Sequence, residues 1–76
     1  MRLRQEEFVH PTQASGVRLQ VFRQPEGFLV TEENRGSTTV YRTLGLFETA
    51  AAAEACARAR GEELLARRYQ MVATAA

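Results

Sequence analysis

The stretch ETAAAAEACARARGEELLARRY, residues 48–69, limits the fold more than any other part of the chain. Alanine and the straight-chain residues Glu, Arg and Leu are the strongest helix formers, so the spacing predicts a helix over residues 49–68. Thr49 stands where an N-cap is needed. Glu48 and Glu54 lie near the helix start and Arg67 and Arg68 near its end, in the sense that the macrodipole favours. The inward face would run through Ala50, Ala53, Ala57, Gly61 and Leu64, flanked by Cys56 and Leu65. A stripe this shallow buries little by itself. It therefore needs a surface whose own large side chains fill the gap, and Phe28, Leu44 and Phe47 are the candidates. Gly61 costs about 1 kcal/mol relative to Ala inside a helix, which points to close packing there, with a kink as the alternative. The pairs Glu54 with Arg58 and Glu63 with Arg67 have the favourable four-residue spacing and belong on a solvated face.

The surface to be covered is a sheet. In GVRLQVFR, Val17, Leu19 and Val21 alternate with Arg18 and Gln20, which predicts a strand over 17–23. QPEG follows, where Pro25 presets a turn and Gly27 can adopt a positive φ, and FLVTEE returns over 28–33. A four-residue loop sets Val21 opposite Val30 and Leu19 opposite Glu32, and this register is preferred over a bulged one with Phe22 opposite Val30. The turn ENRGS leads into a third strand over 38–47, apolar on both faces and able to bend at Gly45. EEFVH is a candidate edge strand that Pro11 interrupts. Residues 71–76 read as a flexible tail. The expected fold class is therefore α+β: one domain over 1–76, with a three- to four-stranded antiparallel meander sheet and one C-terminal helix packed on one face.

Charge and chemistry exclude more than they suggest. All 10 basic residues are Arg and all 9 acidic residues are Glu, which reads as the signature of a GC-rich, bacterial coding sequence rather than selection for phosphate contacts. The net charge of +1 agrees, since non-specific nucleic-acid binding rests on a basic patch. No apolar run nears the roughly 20 residues that span a bilayer and MRLRQEEFVH lacks a secretory apolar core, so a cytoplasmic protein with no membrane partner is expected. Cys56 is the lone cysteine and reads as buried and inert. His10 has neither a second His nor any Asp to orient it and reads as a solvated or capping residue. Cys56 and His10 fall short of the donor set of a structural zinc site. The adjacent glutamates 6 and 7, 32 and 33, and 62 and 63 diverge on any regular element, so they do not form acid and base pairs. No catalytic, cofactor or metal residues are assigned, and an enzyme is not expected.

Residues 33–69 resemble a WGR module, a family of small antiparallel sheets with one helix found in poly(ADP-ribose) polymerases and in small bacterial proteins. The matching features are Arg35 at a strand-to-turn segment, Phe47 before the helix, the Ala-rich helix start, and an Arg-flanked Tyr69 after it. Glu33 and Asn34 stand where the family has Trp and Gly, and Arg68 stands where it has a Gly before the final Tyr. The resemblance implies the fold, and contacts with partner domains or DNA ends through Arg35. Two readings of function follow. The first is a small interaction module, a homodimer or an adaptor or inhibitor of a larger protein, with Arg18, Phe22, Arg23, Leu29, Arg35, Tyr41 and Arg42 as the interaction surface. The second, ranked below it, is a nucleic-acid-binding accessory protein using the arginines and Tyr41 on an open sheet face.

Overall fold

A computed structural model describes residues 1–76. The elements are β1 (Arg2–Val9), β2 (Gly16–Gln24), β3 (Gly27–Arg35), β4 (Thr39–Phe47), α1 (Ala50–Ala66) and β5 (Gln70–Ala75). The strands form one antiparallel sheet in the order β4-β3-β2-β1-β5. The α+β class with a single helix on one face holds, and the strand count rises to five. Neither added strand is marginal. The N-terminal segment is a full strand beside β2, and the segment expected to be a flexible tail is β5, paired with β1 from Gln5↔Ala75 to Val9↔Gln70. Every side chain of β5 is exposed, so backbone pairing rather than burial orders it: the outer N–H and C=O groups of β1 need partners, and β5 supplies them.

The β2–β3 hairpin follows the preferred register, with Val21 opposite Val30 and Leu19 opposite Glu32. Gly27 closes it at φ 143°, a backbone conformation that L side chains rarely adopt. A Cβ at Gly27 would also stand 2.5 Å from the Phe47 carbonyl oxygen, so glycine is required there twice over. In β4 the register slips opposite Val30 and Thr31, which makes Leu44 a bulged residue. The slip reverses the alternation of β4. Leu44 turns into the core, whereas Leu46 pairs with Leu29 on the opposite face and is half exposed. The ring of Phe47 folds back over Gly45, where a Cβ would meet it at 2.6 Å.

The helix crosses the covered face from the β4 edge to the β5 edge. Thr49 caps it as expected, its hydroxyl accepting from the Ala52 N–H at 3.2 Å. Ala53, Ala57, Gly61 and Leu64 are buried; Ala50, expected on the same stripe, is exposed. Two apolar clusters fill the interface: Phe8, Val17, Leu19 and Leu64 at one end, and Val21, Val30, Ala53 and Ala57 at the other, the latter packed by Phe28, Leu44 and Phe47. The sheet thus supplies the bulk, and Phe8 meets Gly61 where the helix comes closest. The helix is unbroken through Gly61 and ends at Ala66, two residues short of the expected end. Tyr69 N–H reaches back to the Leu64 carbonyl at 3.0 Å and Arg68 N–H to Leu65 at 3.1 Å, a Schellman closure with Arg68 at φ 73°.

Candidate interaction face

Alternation along the strands sorts side chains between the covered face and an open one. The register aligns the open face into three rows that cross the sheet. One is apolar over three strands, with Phe22, Leu29 and Leu46 in line, and ends on β1 at Arg2, which donates to Gln5 at 2.7 Å. The next is polar and uncharged: Gln5, Gln20, Thr31 and Thr43, where the Gln20 amide donates to Gln5 at 2.9 Å. The third is charged: Glu7, Arg18 and Glu33, ending at Tyr41 on the β4 edge. Tyr41 is 73% exposed and flanks a hollow of about 320 Å³ floored by Gln20, Thr31 and Thr43 and bordered by Phe22.

The charged row is closed on itself. Arg18 donates to Glu7 Oε1 through Nε at 3.1 Å and Nη2 at 3.0 Å, and its Nη1 lies 3.8 Å from Glu33. Arg35, two residues further along β3, donates to Glu7 at 2.7 Å and stands 3.1 Å from Glu33. Two arginines and two glutamates leave no net charge. The hydrogen bonds from Arg18, and then from Arg35, hold the Glu7 carboxyl below the usual carboxylate range.

Of the seven residues assigned to an interaction surface, Arg18, Phe22, Leu29, Arg35 and Tyr41 share the open face. Arg23 and Arg42 do not join them. Arg23 shares the side of Val21 and pairs with Phe28, and Arg42, largely exposed, shares the side of Glu32, its Nη2 3.4 Å from Glu32 Oε2. Leu46, Glu7 and Glu33 belong to the face and were not assigned to it. The β4 bulge hides Leu46, since simple alternation puts it on the same side as Leu44. Glu7 becomes visible only when β1 is placed beside β2, whereas Glu33 follows from the β2–β3 register, which sets it opposite Arg18.

A second charged cluster lies between sheet and helix. Glu32 is 1% exposed and accepts from Arg60 Nε at 2.6 Å and from the Asn34 amide at 2.6 Å. Burial pushes this carboxyl up, and the hydrogen bonds from Arg60 and Asn34 with the charges of Arg60 and Arg42 more than reverse it, so the pKa lies below its ordinary value. Arg60 also donates to Glu63 at 3.0 Å, and Glu54 stands 3.8 Å from Arg4. The expected Glu63–Arg67 and Glu54–Arg58 pairs are thus replaced by contacts tying the helix to the sheet and to itself.

Near the end of β1, Ser15 Oγ and the Tyr69 hydroxyl are 3.2 Å apart, and the His10 ring meets Tyr69 edge-on at 5.2 Å. His10 Nδ1 accepts from the Thr12 N–H at 3.2 Å. Cys56 is half-buried, and burial pushes its thiol pKa up. No group of three or more His, Cys, Asp or Glu converges on one point, and no helix is long and apolar enough to cross a membrane.

The fold and the face together define an α+β protein: a five-stranded antiparallel sheet, backed by one helix and open on the other side. Comparison with protein-family models, with curated proteins and with solved structures finds no match to this chain.

Proposed function

We propose that this chain is a small non-enzymatic protein-interaction module that binds through the open face of its sheet and works in the cytoplasm. The observation that carries this reading is the state of the arginines on that face. Arg18 and Arg35 are both paired with Glu7 and Glu33, which leaves an apolar row, an exposed tyrosine and, at the end of that row, Arg2 hydrogen-bonded to Gln5. Protein surfaces favour that mixture at interfaces: aromatic and apolar groups at the centre with satisfied polar groups around them. A nucleic-acid groove needs cations free to displace counterions from phosphates; of the arginines the second reading invoked, Arg18, Arg35 and Arg42 are paired with carboxylates, and Arg23, which is not, lies off the open face.

The test is positional photo-crosslinking in the expressing cell. A benzophenone amino acid at Tyr41 or Leu29 is expected to give an adduct with polypeptide that Phe22→Lys abolishes, while the same group at the exposed Arg58 on the helix gives none. Adducts with nucleic acid alone, or equal labelling from all three positions, would overturn the reading.

A further inference from the structure

The open face has a symmetry that its separate residues do not suggest. Across the boundary between β2 and β3, the open-face neighbours are Phe22 with Leu29, Gln20 with Thr31, and Arg18 with Glu33. Each pair is complementary in kind: apolar with apolar, amide with hydroxyl, cation with anion. A two-fold axis laid along this boundary, in the plane of contact, exchanges β2 of one copy with β3 of the other. It therefore sets Phe22 over Leu29 of a second copy, Gln20 over Thr31, and Arg18 over Glu33, twice each. Moving out one strand, it sets the Glu7 carboxylate over the Tyr41 phenol, an acceptor over a donor, Gln5 over Thr43, and Arg2 over Leu46, where a cation meets an apolar group. No like charges meet. An axis laid along β2 instead would stack Arg18 on Arg18.

We infer that the partner of this face is a second copy of the same chain, docked sheet to sheet about a two-fold axis along the β2/β3 boundary. The inference rests on the reading of the face as a protein-binding surface and supplies its occupant. Size agrees with it. The four strands that overlap about this axis, about 4.8 Å apart and eight or nine residues long at about 3.3 Å each, make a face of roughly 550 Å², the scale of a weak, reversible interface of under about 600 Å² per partner. Isologous contact of this kind closes on itself and yields a dimer rather than a filament. Packed sheets hold their strands within about 30° of one another, which keeps the three rows in register near the axis. The edges of the sheet are poorer places to associate, because both exposed strands are broken by register slips, at Leu44 in β4 and at Val72 in β5.

Sedimentation equilibrium of the purified chain, between about 1 µM and about 1 mM, tests this. A monomer–dimer equilibrium is expected, weakened at least about tenfold by Leu29→Lys, whose side chain is already partly exposed, while the far-ultraviolet circular dichroism is unchanged. Arg18→Glu and Glu33→Arg should each lose self-association, and an equimolar mixture of the two should recover it as a heterodimer, because the axis brings the two altered positions together. Should either charge variant fail to fold, Leu29→Lys and Phe22→Lys decide alone. A chain that is monomeric throughout overturns the inference, as does association that Leu29→Lys leaves intact. If the chain is monomeric and a crosslinker at Tyr41 still captures a different polypeptide, the second copy is excluded and the face keeps its role; no polypeptide adduct removes both.

Discussion

Arg68 occupies the left-handed conformation that closes the helix, at φ 73°. An L side chain there costs about 1–2 kcal/mol against its own carbonyl, partly offset in any comparison with glycine by the greater freedom of glycine when unfolded. Arg68→Gly, the residue that the WGR pattern has at this place, should raise stability by about 0.5–1 kcal/mol, read as a higher urea midpoint. Glu32 is the opposite case, a residue whose loss is costly. Glu32→Ala removes the acceptor for Arg60 under the helix and should destabilise by about 3 kcal/mol, the low end for a buried pair, since Arg60 retains Glu63. Acid reports on the same carboxyl. Its folded pKa lies below the ordinary 4.5, so its contribution is complete above the unfolded value and is lost as pH falls through the folded one. Urea midpoints taken between about pH 6 and pH 2 should fall less steeply for Glu32→Gln than for the wild type; parallel curves would mean that Glu32 does not drive the loss.

At the scale of elements, the helix and the strand after it make separate claims. A Cβ on Gly61 would lie 3.4 Å from Phe8 Cζ, at the near limit of ordinary contact. Gly61→Ala should thus be close to neutral or mildly stabilising, the helix propensity gain of about 1 kcal/mol set against a small shift of Phe8. Gly61→Leu should cost about 1–3 kcal/mol by overpacking. Equal stability of the two variants would show that the helix does not sit closely on the sheet. Deleting residues 70–76 strips β1 of its outer partner, and the β1 amides facing that edge should exchange with solvent at least about tenfold faster than in the full chain.

These elements also divide what the sequence made legible from what it hid. The β2–β3 register was readable because Pro25 and Gly27 fix a turn chemically, and the small stripe at Ala53, Ala57 and Gly61 because its period is helical. QMVATA carries no such signal: all its side chains are exposed, and only the unpaired edge of β1, more than sixty positions earlier, makes it a strand. The tie between Arg60 and Glu32 escaped for a like reason, since spacing rules within a helix see partners three or four residues away and this one is 28 distant.

At the scale of the whole molecule, the layers are unequal, with one side of the sheet covered and only 12 of 76 residues buried. A domain this small has little stability in reserve, and covering the second face would add to it. If the second copy provides that cover, stability must depend on concentration: the urea midpoint should climb as protein is raised from about 1 µM to about 100 µM and should stay flat for Leu29→Lys. The face illustrates the limit of reading one strand at a time. Arg18, Phe22 and Tyr41 were readable as surface groups, but the neutralisation of Arg18 and Arg35 depends on Glu7 and Glu33, brought in by strand pairing.

The seam between β1 and β5 also sets an order in time. It joins residue 5 to residue 75, whereas the β2–β3 seam closes over two residues. Closing long loops is slow, so the meander should form before its far edge is sealed, and a chain leaving the ribosome would hold β1 unsealed until residues 70–75 had emerged. In pulse-labelled refolding, amides of β2 and β3 should gain protection first and those on the outer side of β1 last; simultaneous protection would mean that the sheet closes in one step.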